Sequence, residues 1–458
     1  MPQFIPIIAP IIKKLIIQFI VSAIVSKVFG KKKARGRGQG ASTSSQILIN
    51  KSGNNEPIPV VYGRQRVGGV RAFINTTNGS GGSGNNILNE ALILCEGEVG
   101  APLKVFFGET LVWHAQSDGG SGTTSTVGTD GYQLANFQTT KYGSHYIAFY
   151  PGTTTQTVDP TLQASIGSST WDNNRRLQGL AYLALKLPTD DDYNGAAPEI
   201  FVEFAGKKIR AATNPVGSAV AAVDQNPADV LLDYMTNTIY GKSIPDADID
   251  LASFASARTY MASRFKINGF LDTGQKLFDN IEEILSACNG ILTYTNGKYK
   301  FRARQQNETS AFSFNTSNII GAFDISLPPK TAKFNKVEYT FNNIATNFQD
   351  DIKVVSNNTY LTEDNSTVLL GKQDTTLVSD ATIVTNLANW IMNNSRNQTT
   401  IVFEASHQAI DVEAGDIIDI THDITGYSAK KFRVQEIILT EDNTIKITCQ
   451  EYTSSIQI

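Results

Sequence analysis

Between residues 226 and 303 the apolar pattern changes its period abruptly, and that change limits the class of fold more than any total does. Asn226–Pro227 reads as a helix start, Asn as the cap and Pro in the first turn, and Val230, Leu231, Tyr234 and Met235 then share a face. Asp250 is placed to cap a second helix through LASFASARTYMASRF. In a third, Leu277, Ile281, Ile284, Leu285 and Cys288 recur at i, i+4, i+7, i+8 and i+11 until Gly290 stops the run. ILTYTNGKYKF follows at once with period two, turned by Asn296–Gly297, a pair suited to the positive backbone angles of a tight hairpin.

Strand patterns lie on both sides of this block. Before it come ILIN, PIPVVYG and LNEALILCEG, with a polar loop at 75–86. Residues 111–195 are rich in Gly, Ser, Thr, Asn and Asp around short strands such as HYIAFY and LAYLALKL, and EIFVEFAGKKIR closes the segment. After the Pro328–Pro329 break, FNKVEYTF, TIVFEAS, DIIDIT, FRVQEIIL and TIKITCQEY read as strands. They enclose one helix near 380–395, whose expected core face is Ile383, Val384, Leu387, Trp390 and Ile391. Strands, then helices, then strands is the order of an α+β chain, mainly β, rather than of a wound α/β sheet. No repeat of solenoid type is present.

Residues 1–40 are a different material. Residues 11–29 form an apolar tract opened by Pro10, and Lys14, Gln18, Ser22 and Ser26 recur every four positions as one polar stripe on a predicted helix. Nineteen residues at the helical rise span roughly 28 Å, close to a bilayer core. A membrane-active or membrane-spanning helix, a secretory signal, and a helix buried in an oligomer with its stripe toward a channel all fit this pattern. The Gly-rich run 30–40 reads as a solvated basic tether. Eight of the 39 Lys and Arg lie in residues 1–40 with no acidic residue, which leaves 31 basic against 43 acidic residues elsewhere, a net charge of −12. A body of that sign is a poor general binder of nucleic acid, which is held through neutralised phosphates.

The search for chemistry yields nothing. His114, His145, His407 and His422 include no pair at helical metal spacing. Cys95, Cys288 and Cys449 are too few and too scattered for a disulfide framework or a zinc site, and Cys288 and Cys449 read as small core residues. Asp246, Asp248 and Asp250 start like a calcium loop, but Leu251 and Ala257 stand where that loop needs Gly and Glu. Asp190, Asp191 and Asp192 crowd a polar turn. GRQRVGG at 63–69 lacks the Lys-Ser/Thr pair of a phosphate loop, and no G-x-S-x-G elbow or H-E-x-x-H occurs. The expectation is a structural protein, not an enzyme, with no catalytic, cofactor or metal residues. A cell-wall glycosidase would need two carboxylates across a cleft, and nothing singles out such a pair.

Several segments in order are similar to the tip attachment protein J family, the central tail hub proteins of siphophages and gene-transfer agents. They are IPVVYGRQRVGG (58–69), ALILCEGEVGAPLKVFFGETLV (91–112), RLQGLAYLALKLP (176–188), NPADVLLDYMTNTIYG (226–241) with DIDLASF, and, near the end, LANWIMNN, VEAGDIIDIT and KFRVQEIIL. The resemblance covers about residues 46–458 and implies a homotrimer at the distal end of the virion tail. Each chain would carry two tail-tube-like β-barrel domains, so that six barrels match a sixfold tail to a threefold tip. It further implies a channel for genome ejection. The partners it implies are a distal tail protein ring, the tape-measure protein, tail fibre or receptor-binding proteins, DNA in transit, and host membrane through residues 11–29. The barrels map to 46–110 with 196–220 and to 330–458, with 111–195 as an inserted β-rich domain. Residues 221–329 form a helical α/β domain between them, and 1–40 a hydrophobic helix with its linker. The hydrophobic N-terminal helix departs from the family pattern. So does the absence of fibronectin-like extensions, from which receptor recognition is expected to belong to other tail proteins. The competing reading is a receptor-binding adhesin, membrane-anchored or tail-borne, with 111–195 as its contact surface.

Overall fold

The computed structural model describes residues 18–20, 50–52, 56–79, 86–188, 197–212, 219–329, 332–440 and 442–458. The first strand is β1 (Gln18–Ile20). After it come β2 (Val60–Tyr62), β3 (Arg64–Val67), β4 (Val70–Thr77), β5 (Ile87–Glu96), β6 (Pro102–Phe107) and β7 (Thr110–His114). Next are β8 (Thr123–Val127), β9 (Gly131–Ala135), β10 (Tyr146–Tyr150), the short helix α1 (Pro160–Ile166), β11 (Leu180–Pro188) and β12 (Ile200–Ala205).

Strands β3–β12 build two sheets, ordered β4-β5-β11-β10-β9-β8 and β3-β12-β6-β7. The alternation of side chains explains how they stack. Leu92 and Leu94 of β5, with Leu183, Leu185 and Leu187 of β11, face the smaller sheet and meet Val105, Val202 and Phe204 in one core. Their neighbours Ala91, Ile93, Tyr182 and Ala184 face the other way and are covered by Leu162 of α1 and by Trp171. The larger sheet is thus a middle layer buried on both faces, which is why β5 and β11 read as near-continuous apolar runs. Segment 111–195 contributes β7 to the smaller sheet and β8–β11 to the larger one.

The helical block holds α2 (Pro227–Thr236), α3 (Leu251–Met261), β13 (Gly269–Leu271), α4 (Leu277–Ala287), β14 (Gly290–Thr295) and β15 (Lys298–Ala303). Its start signals act as read: the Asn226 side chain accepts from the Ala228 N–H, and that of Asp250 from the Ser253 N–H. Asn296 and Gly297 take φ of 53° and 80°, as the hairpin between β14 and β15 requires. Two details differ from expectation. Leu277, at the open first turn of α4, is 41% exposed, and α3 stops at Met261, with Phe265 buried from the turn beyond it.

The remainder is β16 (Ser310–Phe314), β17 (Ile319–Ser326), β18 (Lys336–Asn343), β19 (Gln349–Ser356), α5 (Asn358–Glu363), β20 (Leu370–Asp374), α6 (Ala381–Asn394), β21 (Thr400–Ala405), β22 (Ile417–His422), β23 (Tyr427–Leu439) and β24 (Ile445–Glu451). A nine-stranded sheet runs β15-β14-β1-β23-β24-β21-β17, with β22 on β23 and β16 on β22. A three-stranded sheet, β19-β18-β20, lays Val337, Tyr339 and Phe341 against Val384, Leu387 and Ala388 of α6. Trp390 and Ile391 are only partly buried.

The chain is mainly β with few helices, and among the described residues no sheet closes into a barrel. This corrects the expected closed barrels. The first two sheets bury their apolar faces against each other, and the polar TTSTV of β8 ends its ladder in solvent. Face-to-face packing removes the apolar surface without joining the edges. The helix expected over 11–29 is absent at 18–20, where the backbone is a strand paired on both sides; its other positions lie outside the described residues.

Gly63, between β2 and β3, has φ +65°, and a methyl group there would strike the Ile267 carbonyl oxygen and the Asn268 side chain. Gly108 has φ +57° with open space around it. Gly108→Ala is therefore expected to cost about 1 kcal/mol of backbone strain, and Gly63→Ala about 2 kcal/mol more, read as midpoints in urea.

Candidate functional site

Two polar seams and a set of open strand edges stand out. The first seam joins β2 to α2. The hydroxyls of Tyr62 and Tyr240 donate to Asp233 Oδ2 over 2.7 and 2.6 Å. Burial pushes the Asp233 carboxyl above the ordinary carboxylate range, opposed by those two donors and by the charge of Lys207, and burial likewise pushes the Tyr62 phenol well up. One turn away, Asp229 accepts the Ala212 N–H at 2.7 Å and the Arg258 Nε–H at 3.0 Å. Gln225 completes the junction, accepting from the Gly63 N–H and donating to the Lys207 carbonyl, both at 2.7 Å.

The second seam joins the β14–β15 hairpin to the turn before β22. Lys300 Nζ lies 2.6 Å from Glu413, and Arg302 reaches Asp416 at 2.6 Å and Glu413 at 3.2 Å. Arg433 of β23 pairs with Glu308, and the Tyr260 hydroxyl of α3 donates to the Ile458 carbonyl at 2.6 Å. These groups are far apart in sequence and mostly shielded from water, where a charge pair holds geometry better than on an open surface.

Two long open edges are on the C-terminal part. β17 ends the nine-stranded sheet and β19 ends the three-stranded one. β19 exposes Ile352 (58%) and Val354 (48%) on the face turned away from α6, and β17 with its exit exposes Ile325 (43%) and Leu327 (73%). An eight-residue edge with exposed β-branched residues is a template for another strand, and proteins that stay alone usually blunt such edges.

The residues singled out beforehand are not brought together. Of the predicted polar stripe, Gln18 lies in β1, while Lys14, Ser22 and Ser26 lie outside the described residues, as do Asp190, Asp191 and Asp192. Asp250 caps α3 and Asp246 pairs with Arg210. His114 Nε2 lies 3.0 Å from Asp118, which also receives Arg64, and the His422 ring stacks on Phe323. Cys95, Cys288 and Cys449 are free and buried, and burial pushes the thiols of Cys95 and Cys288 up to about 12. Among the described residues no three His, Cys, Asp or Glu gather closely enough to hold a metal, and no helix is long and apolar enough to cross a membrane. Sequence reading missed Asp233, Glu413 and Asp416, because an acidic residue that pairs across a fold has no local signal.

The comparisons with known proteins agree with an assembly role. Residues 278–437 match a family model described as a putative phage tail protein. The baseplate hub protein pb3 of Escherichia phage T5 is 22% identical over 465 residues, which cover 88% of this chain and 48% of that protein, so the chain spans about half the length of this relative. A chain in the virion of a native gene transfer agent particle superposes with a TM-score of 0.67 at 13% identity, over 95% of this chain and 96% of that one, and shares its fold. The class is therefore a structural protein of a virion tail. More particularly, this chain is a phage tail hub-like protein, and it has the fold of a chain in a gene transfer agent particle.

Two expectations follow from the seams. A raised carboxyl pKa means that the native state holds a proton that the unfolded chain releases near pH 4, so stability falls as pH rises from there through the folded value. Asp233→Asn, which cannot ionise, should gain on the parent chain as pH rises from about 5 to about 8, read as thermal midpoints at each pH. Glu413→Gln leaves Lys300 and Arg302 short of a counter-charge and is expected to cost about 1–3 kcal/mol.

Proposed function

We propose that the chain is a non-enzymatic hub that assembles as a homotrimeric ring. The ring adapts a sixfold tail to a threefold tip, closes the tail before ejection and provides the channel through which the genome leaves. The observation that carries this reading is the pair of long edges, β17 and β19, each eight residues with exposed apolar side chains. In a lone chain they are aggregation-prone; in a ring each is covered by a neighbour. A closed wall is then made between chains, edge to edge, rather than by one chain closing its own sheet.

Within this reading, 46–110 with 196–220 and 330–458 are the two ring-building domains, 111–195 is inserted in the first, and 221–329 links them. The partners are a distal tail protein ring above, the tape-measure protein inside, and tail fibre or receptor-binding proteins outside. The net −12 of the body beyond residue 40 favours passage of DNA without sticking, provided that the carboxylates face the channel. Residues 11–29 are the segment available for contact with a host membrane.

The native mass of the full chain tests the hub. Three times 49.8 kDa is expected, and Ile352→Lys with Val354→Lys should shift the mass toward one chain while leaving the thermal midpoint within about 1 kcal/mol in stability terms. A parent chain that stays a monomer and binds host cells would instead favour the adhesin.

A further inference from the structure

We propose that the gap between β14 and β23 is a strand-acceptor site, and that its occupant is an extended segment of this same chain, residues 18–20. Strand β14 pairs with β15 on one side and β23 pairs with β24 on the other, and the two facing edges bond not to each other but to β1. The ladder is antiparallel on both sides: Phe19 stands opposite Tyr294 and Ile20 opposite Thr293, while Gln18 stands opposite Ile437 and Phe19 opposite Glu436. Neighbouring strands lie about 4.8 Å apart, so the gap is about 9.6 Å across, the width of one strand.

The gap keeps that width by means that do not involve β1. Lys300, Arg302 and Asn296 of the hairpin all bond to Glu413, and Arg302 also bonds to Asp416. The same turn is fastened to β23, with the Gly415 N–H donating to the Val434 carbonyl at 2.9 Å and the Val434 N–H to the Asp416 carbonyl at 2.8 Å. The hairpin and β23 are therefore locked to one turn, and the space between them is left for a third strand. With β1 removed, the backbone N–H and C=O groups of β14 and β23 that face the gap would lose their ladder partners.

The occupant follows from the chain itself. Residues 11–29 are its most apolar tract, rich in the Ile, Val and Phe that suit a strand. From Ile20 to Asn50 there are 29 intervening residues, about 100 Å at full extension, so the same chain reaches its own gap without constraint. The consequence is a hold on the tract: while residues 18–20 are in the gap, they cannot take part in a helix in a membrane or a channel. This inference is independent of the trimer.

Cysteine cross-linking of the full chain tests it. In Phe19→Cys with Tyr294→Cys the two positions are directly opposite, where Cβ atoms approach to about 5 Å. Mild oxidation is expected to close an intrachain loop, seen as faster migration on a denaturing gel, at least about tenfold more than in a control pairing Phe19→Cys with Lys298→Cys, four positions along the hairpin. As a second readout, Phe19→Pro removes a donor from a central strand, and amide exchange at 293–295 and 436–437 should accelerate about tenfold or more. Equal cross-linking in both pairs, cross-links only between chains, or unchanged exchange in the proline variant would each overturn the proposal. A chain that is monomeric by native mass yet closes the intrachain loop would retain the acceptor site and remove only the trimeric hub.

Discussion

The apolar core of the helical block is the constraint on which the rest of the molecule depends. It is not private to that block. Val60 and Tyr62 of β2, which pairs with β13, enter it from the N-terminal side, Val337, Tyr339 and Phe341 enter from β18, and Val384, Leu387 and Ala388 enter from α6. Helix α2 is consequently buried on nearly every side, from Ala228 to Met235. A helix so enclosed cannot turn without disturbing three groups of strands, because packed interiors transmit displacement instead of absorbing it. The hub-like chain is in this sense organised about its middle, with two β-rich ends hung on one core.

Polar chemistry sets the directions that apolar packing leaves free. Hydrophobic contact is non-directional, whereas a carboxylate between two phenols admits one arrangement. Asp233 with Tyr62 and Tyr240 fixes how β2 meets α2, and Glu413 with Asp416 fixes how the hairpin meets the C-terminal sheet. Asp233, Tyr62 and Tyr240 have the burial and raised ionisation found at many catalytic sites. Here they are consumed by partners within the fold: both tyrosine hydroxyls end on one carboxylate oxygen, and the acids of the second seam end on Lys300 and Arg302. At Asp233 the raised ionisation marks a joint.

The outward surfaces carry the opposite character. β17 and β19 leave backbone donors and acceptors along eight-residue edges beside exposed Ile, Val and Leu. The same property, strand addition, describes the gap between β14 and β23 on the inside of the chain. The open edges and the gap thus share one backbone chemistry, strand addition.

Local physics made much of this protein legible from its residues alone. Asn226, Asp250 and Asn296–Gly297 act within a few positions of themselves, so their cap and turn roles could be read directly. The alternation in FNKVEYTF and TIVFEAS, and the buried cysteines, needed only period and composition. Several similar segments in order were enough to indicate a tail hub. Tertiary structure decided what depends on partners distant in sequence. Whether strands close or stack turns on which edges meet, and a strand pattern specifies a face but no neighbour. That is why barrels were expected where open, face-packed sheets are found. The pairing of Asp233 with Tyr62, 171 residues away, and of Glu413 with Lys300, 113 residues away, leaves no trace in any local window. At Gln18–Ile20 a helical period in the sequence yields to a strand, because two fixed edges offer the backbone pairing that the local pattern cannot anticipate.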